Sequence, residues 1–208
     1  MLVDASVARS FAVVGRTRHL LQLQLSGGMI LVSDGVHGAE PDDPSELRRI
    51  RRALQRQADD AGLGSGRSSR ALSAVQGLDE LLALDSGELS VLTPSDDEVA
   101  LAVRLQSRRP EDRAWRHSLG AKARRLDAGE SVSIAIAVTR SLSFASDDDD
   151  ALTLWEALSG APGFRTRNLL LELVGSGVVA EQEARDVHHM LRTDDLHNLG
   201  GPPWMAPL

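Results

Sequence analysis

The chain has 208 residues, 42% of them apolar and 25% charged, with no cysteine and a formal net charge of −7. That length and apolar content suit one globular domain with a real core, while the missing cysteines exclude disulfides and thiolate metal sites, so any metal would be held by oxygen or histidine. The acidic balance argues against a general nucleic-acid binder. No apolar run is long enough to span a bilayer, and the opening MLVDASVARSF lacks the basic n-region of a secretory signal, so a cytoplasmic protein with no membrane partner is expected.

Met1–Val3 reads as a short apolar strand ending at Asp4, and ASVARSFAVVG as the helix after it, with Ser6 near its start and Gly15 as its stop. RTRHLLQLQL is expected to form a second helix, broken by Gly27 and Gly28. MILVS (29–33) is a continuous apolar run of strand length, the pattern of a strand buried on both faces. Asp34 can cap a short helix GVHGAE, which carries Glu40. Pro44 to Asp60 has a strong helical pattern, with Asp43 as cap and Pro44 in first position. Residues 62–70 (GLGSGRSSR) read as a flexible break, and a further helix is expected over Ala71–Leu84.

ELSVLT (88–93) reads as a strand and PSDDEVALAVRLQ as the following helix, while SRRPEDRAWRH is expected to be a polar loop. DAGESVSIAIAVTR (127–140) reads as a helix, SLSFAS (141–146) as a strand, and the acid run behind it as the lead into a helix reaching Leu158. RTRNLLLELVGSG and AEQEARDVHHMLR make two more helices, before an irregular tail, NLGGPPWMAPL. Compact apolar strands separated by helices predict an α/β fold, in which the functional crevice lies at the carboxyl ends of parallel strands.

Four aspartates in a row, Asp147 to Asp150, directly follow an apolar strand. Asp4 directly follows the first strand, Glu40 lies one short helical step beyond the second, and Glu130 sits in the first turn of the helix leading to the last. Separate segments thus send carboxylates toward one sheet edge. Carboxylates crowded together raise one another's pKa. Magnesium or manganese relieves that cost, since hard cations take carboxylate oxygens, and two such ions about 4 Å apart can drive phosphodiester hydrolysis.

In this pattern LVDAS resembles the first motif of the PIN-domain nucleases, whose best-known bacterial branch is the VapC-type toxins. SDGVHGAE is similar to the family's second motif, LDAGESVSIAIA to its third as found in a subgroup with a Gly-Glu pair, and FASDDDDA to its last. The resemblance covers residues 1–40 and about 88–175. It implies a three-layer α/β/α fold with a central parallel sheet, here with a helical insertion at about 43–87 and a C-terminal helix and tail over 176–208. It further implies a Mg2+- or Mn2+-dependent endoribonuclease leaving a 3′-hydroxyl and a 5′-phosphate. Asp4, Glu40, Glu130, Asp147 and Asp148 would be the catalytic and metal-holding acids, with one or both of the last pair as ligands. Ser6 or Ser146 would orient ligands or the RNA substrate. Arg165 and Arg167 precede a helix in FRTRNLL, a place that reads, apart from the resemblance, as phosphate steering. A toxin of this kind would dimerise and have an antitoxin protein covering its site.

Several of these residues have purely structural readings. Asp4 can cap its helix, Asp127 and Glu130 can form a capping box, and Asp149 and Asp150 can complement a helix dipole. Arg48, Arg52 and Arg56 share one helix face and read as a solvated stripe or a phosphate contact. A second basic stretch, Arg104 to Arg125, holds eight cations against Glu111 and Asp112, and includes Trp115, readable as a packed anchor or a base-stacking platform. His188 and His189 lack metal-ligand spacing and read as structural. A catalytically inactive scaffold binding protein or nucleic acid is the competing function. A haloacid-dehalogenase-like phosphatase would want an aspartate where Ser6 stands.

Overall fold

A computed structural model of the chain describes residues 1–15, 30–38, 45–61, 66–83, 89–122, 126–193 and 204. The four anticipated apolar runs form strands β1 (Leu2–Val3), β2 (Ile30–Ser33), β3 (Leu89–Leu92) and β4 (Phe144–Ala145). They make one all-parallel sheet of order β3-β2-β1-β4. The centre is short because its neighbours supply what it lacks. Leu2 N–H donates to the Ser143 carbonyl at 2.8 Å and Asp4 N–H to the Ala145 carbonyl at 2.9 Å. The register pairs Leu2 with Phe144 and Val3 with Ala145, so Asp4 and Ser146 emerge side by side at the carboxyl edge.

Alternation along the strands gives the sheet two apolar faces. Val3, Ile30, Val32, Leu89 and Ala145 pack with helices α1 (Ala5–Val13), α3 (Glu46–Asp60), α4 (Gly66–Leu82), α9 (Thr166–Gly175) and α10 (Glu181–Thr193). Leu2 and Phe144 pack on the other side with α5 (Asp96–Gln106), α7 (Ala128–Thr139) and α8 (Asp149–Ser159). Helices on both faces of a parallel sheet are compatible with three layers. The short α2 (Asp34–His37) follows β2 without a break, and α6 (Pro110–Ser118) follows α5. Within the 43–87 stretch, Leu47, Leu54, Ala71 and Leu78 are buried in the same core as α1, as are Ala184, Val187 and Leu191 of α10. Among the described residues no helix is long and apolar enough to cross a membrane.

Some expectations need correction. The polar stretch after α5 is not a loop: Pro110 opens α6, and Arg116 in its last turn is buried, donating to the Arg104 carbonyl at 3.0 Å. A buried arginine satisfied by a helix C-terminus is invisible to a reading that scores polarity alone. Residues 66–70 of the Gly/Ser stretch belong to α4, where buried Ser68 donates to the Ala58 carbonyl at 3.0 Å. α3 begins at Glu46 with Ser45 as its cap, and Ser33 rather than Asp34 stands at the N-cap position of α2, where its side chain makes no capping bond. β4 is only two residues long, because Ser141 takes a left-handed turn (φ 54°) and Leu142 N–H returns to the Ala137 carbonyl. The expected helix over 16–25 lies outside the described residues, as does the tail except Trp204.

Helices α1 and α4 cross at Gly77, where a Cβ would lie 2.2 Å from the Ala12 carbonyl oxygen. Glycine costs a helix interior about 1 kcal/mol relative to alanine. Gly77→Ala should nevertheless destabilise, since relieving a backbone overlap costs roughly 1–3 kcal/mol on top of that gain. Gly175→Ala, with nothing within 4 Å of its Cβ, should be neutral or stabilising. Urea denaturation of both variants checks the crossing, and a stabilised Gly77→Ala would show that the helices do not meet there.

Candidate functional site

The carboxyl edge of the sheet gathers acids, each tied to the first turn of a helix. Asp4 follows β1 and stands at the cap position of α1, yet its side chain makes no capping hydrogen bond. Instead, Oδ2 accepts from Ser6 Oγ at 3.1 Å and from Ser146 Oγ at 3.0 Å. Those hydroxyl oxygens in turn accept main-chain N–H groups, Asp147 N at 2.9 Å onto Ser6 and Asp148 N at 3.1 Å onto Ser146. Asp4 is 1% exposed, and no hydrogen bond of good geometry reaches its Oδ1 among the described residues. One oxygen is therefore pinned by two serines, while the other is buried without a hydrogen bond of good geometry among the described residues.

Glu46, in the first turn of α3, is the second member. Its Oε2 is buried without a hydrogen-bond partner and lies over Gly129, where a Cβ would stand 2.3 Å from it. A side chain at 129 would push this carboxylate away from the start of α7. There Asp127 and Glu130 form a reciprocal capping box: Glu130 N–H donates to Asp127 Oδ1 and Asp127 N–H to Glu130 Oε2, both at 3.0 Å. The cap engages Oε2 of Glu130 and leaves the carboxylate half of a cluster. Asp148 caps α8 through Oδ1, which accepts from Asp150 N at 2.9 Å and Ala151 N at 3.0 Å.

The electrostatics show that these groups feel one another. Burial pushes the Asp4 carboxyl up to about 6, against the pull of the Ala5 N–H and the two serines. Burial, then Asp127, push Glu130 up to about 8, with Asp4 and Asp148 adding to the rise. Glu46 is driven well above the usual carboxylate range by burial and by the charges of Asp4, Asp127 and Glu130. Helix N-termini, positive ends of four helix dipoles, offset part of this repulsion. The Arg9 guanidinium on α1 faces Glu46, whose charge opposes the effect of its burial, and Arg49 lies 3.5 Å from Glu46 and 3.9 Å from Asp127. Among the described residues, though, no three acidic or histidine side chains are already disposed as a ready-made ligand set. Mutual pKa elevation needs only neighbouring charges, whereas coordination needs oxygens converging on one point, so the two observations describe acids that are close but not closed.

The expected site residues divide. Asp4, Glu130 and Asp148 come together, and Glu40 lies outside the described residues. Asp147 is committed elsewhere: it accepts from Ser10 Oγ at 3.1 Å, Thr166 N at 2.9 Å and Thr166 Oγ1 at 2.6 Å, tying α1 to α9. Ser146 is fully buried and, with Ser6, acts on Asp4. Arg165 holds the Asp147 carbonyl at 3.3 Å and Asp149 at 2.5 Å. Asp150 receives Lys122 N–H at 3.1 Å. Glu46 and the cluster role of Asp127 were not anticipated. The available signal was position: Glu46 is a first-turn acid, as Glu130 is, and Asp127 a cap acid, of helices entering the same edge.

Elsewhere, Arg104 lies over the Trp115 ring at 3.8 Å. Buried His188 is held well below its usual range, at about 4, first by burial and then by nearby cations. Trp204 packs edge-on to it and accepts from Arg167 through its carbonyl. Comparison of the chain with protein-family models, curated proteins and solved structures finds no match.

Because Asp4 and Glu130 hold protons in the folded chain up to about pH 6 and 8, and an unfolded carboxyl releases them near pH 4, folding binds protons in between. Their contribution to stability is therefore greatest below about pH 4 and falls as pH rises toward 8. Glu130→Gln, which keeps the acceptor for Asp127 N–H, should raise stability at pH 8 in EDTA by roughly 1–3 kcal/mol and do little at pH 4.5. Denaturant melts at the two pH values measure this. Equal effects at both would show that Glu130 is not crowded.

Proposed function

We propose that the chain is a metal-dependent nuclease of PIN-like architecture that hydrolyses RNA phosphodiester bonds. The observation that carries the reading is Asp4, a buried carboxylate with one oxygen clasped by two serines and the other lacking a well-formed hydrogen bond, whose charge is felt by Glu46 and Glu130. A buried acceptor without a donor is costly, and a hard cation is the partner that such an oxygen among further carboxylates suits.

Asp4, Glu46, Glu130 and Asp148 would hold the ion. When bound, Mg2+ or Mn2+ supplies positive charge against a phosphodiester and a water of lowered pKa. Ser6 and Ser146 fix the Asp4 rotamer, and the backbone N–H groups of Asp147 and Asp148 fix the serines. Glu130 and Glu46, protonated near neutral pH without the ion, would yield those protons as it binds. A carboxylate of this group left free by the ion would take a proton from an attacking water. The resemblance in LVDAS and FASDDDDA supports the choice of phosphodiester over other esters, and the products would carry 3′-hydroxyl and 5′-phosphate ends. If the chain is a toxin, the same resemblance implies an antitoxin protein covering the site and pairing with a second copy of the chain.

A non-cleaving scaffold is the second reading, favoured by the absence of a ready-made ligand triad among the described residues. Incubation of labelled single-stranded RNA with Mn2+ separates the two. Wild type should cleave, EDTA should abolish cleavage, and Asp4→Asn should lower the rate at least a hundredfold, a loss on the order of 3 kcal/mol of transition-state stabilisation. Titration calorimetry should show Mn2+ binding that Asp4→Asn removes. No cleavage together with no bound Mn2+ would establish the scaffold.

A further inference from the structure

The basic stretch after α5 lies at the same end of the molecule as the acid cluster. Glu98, in the first turn of α5, pairs with Arg140 at the C-terminus of α7 through two bonds of 2.7 Å, so the two packed helices run antiparallel. The last turn of α5, with Arg104, therefore flanks the first turn of α7, with Asp127 and Glu130. The chain leaving α6 confirms the neighbourhood, because Lys122 N–H bonds Asp150 in the first turn of α8.

Arg104 is held as a plate. Its guanidinium lies 3.8 Å from the centre of the Trp115 ring, and Nε donates to Asp112 Oδ1 at 3.3 Å. The side chain remains 49% exposed and lines an open groove with Val103, Gln106, Ser107 and Arg109. Trp115 packs its other contacts into the core, so the ring is a fixed backing. Arg109 lines the same groove, and Arg108 and Arg113, nearby in the chain, are exposed. A lone cation for an acidic peptide would need neither a planar group pinned on two sides nor an aromatic backing. A guanidinium plane with one face open stacks an unpaired base, and the arginines around it meet the phosphates on either side.

We infer that the α5–α6 junction is a docking surface for single-stranded RNA, in which a base stacks on Arg104 over Trp115 and the strand runs past Lys122 toward the acid cluster. The choice of RNA rests on the nuclease reading, and the surface would deliver the strand to that site. It also accounts for how a chain of net charge −7 approaches a polyanion: the cations are concentrated on one path.

Fluorescence anisotropy with a labelled 12-nucleotide RNA of mixed sequence tests this on the full chain in EDTA, where binding is read independently of cleavage. Arg104→Ala should weaken binding roughly tenfold. Arg104→Lys should weaken it nearly as much, since it keeps charge and loses the plane. Arg109→Ala and Arg113→Ala, both exposed and outside the stack, should each weaken binding a few-fold and lower the salt slope by about one. Arg185→Ala on α10 should change nothing, and an RNA duplex should bind more weakly than the single strand. Full affinity in Arg104→Lys, equal affinity for duplex, or binding of a polyglutamate peptide but not RNA would overturn the inference. Binding as expected without cleavage in Mn2+ would sink the nuclease reading and leave the surface standing.

Discussion

The molecule turns on the parallel pairing of β1 with β4. Each strand contributes two residues, and their register brings Asp4 of one and Ser146 of the other to adjacent places at the sheet edge. Everything chemical about the edge follows from that adjacency. The serine reaches the carboxylate, the next two amides reach the two hydroxyls, and α1 and α8 start from the same point. Burial of Leu2 and Phe144 on one side of the sheet and Val3 and Ala145 on the other holds the pairing. For Leu2, Val3 and Phe144 such burial stabilises by about 1.5–3 kcal/mol each, more than the main-chain bonds of so short a ladder supply on their own.

The acids added around this pair are tolerated for two reasons. Each stands on a helix N-terminus, where the dipole favours negative charge, and the pressure that remains is met by holding protons rather than by pairing with cations. Arg9 and Arg49 lie beside Glu46 but do not neutralise the group as a whole, as the raised carboxyls of Glu46 and Glu130 show. Contrast Glu98, also buried and also in a first turn: a bidentate arginine lowers its pKa, and it behaves as a structural anchor. Two buried glutamates in the same chain are thus driven in opposite directions, and the difference marks which one the fold uses for support.

Much of this was legible in the residues, and for identifiable reasons. The strands were short apolar runs with helical patterns between them, and period and punctuation sufficed to place them. The reciprocal cap of Asp127 and Glu130 was readable because its spacing is local. What escaped depended on distant partners. Arg116 looked like a loop cation because its acceptor is the end of another helix. Asp147 and Asp148 could not be told apart until Thr166 and Ser10 were seen to occupy the first. Glu46 stood inside a strongly amphipathic helix, where one acid among many arginines carries no mark, and only its position over Gly129 singles it out.

The serine clasp also fixes a polarity. Each hydroxyl spends its oxygen on an amide and its hydrogen on Asp4, so whatever occupies position 4 must present an acceptor to the serines. An asparagine there would seat its carbonyl in the clasp and turn its NH2 group outward, facing Glu46 and Glu130. The substitution would then turn a donor toward the neighbouring acids and quiet the local repulsion, so that the edge would gain stability as the charge at position 4 is lost.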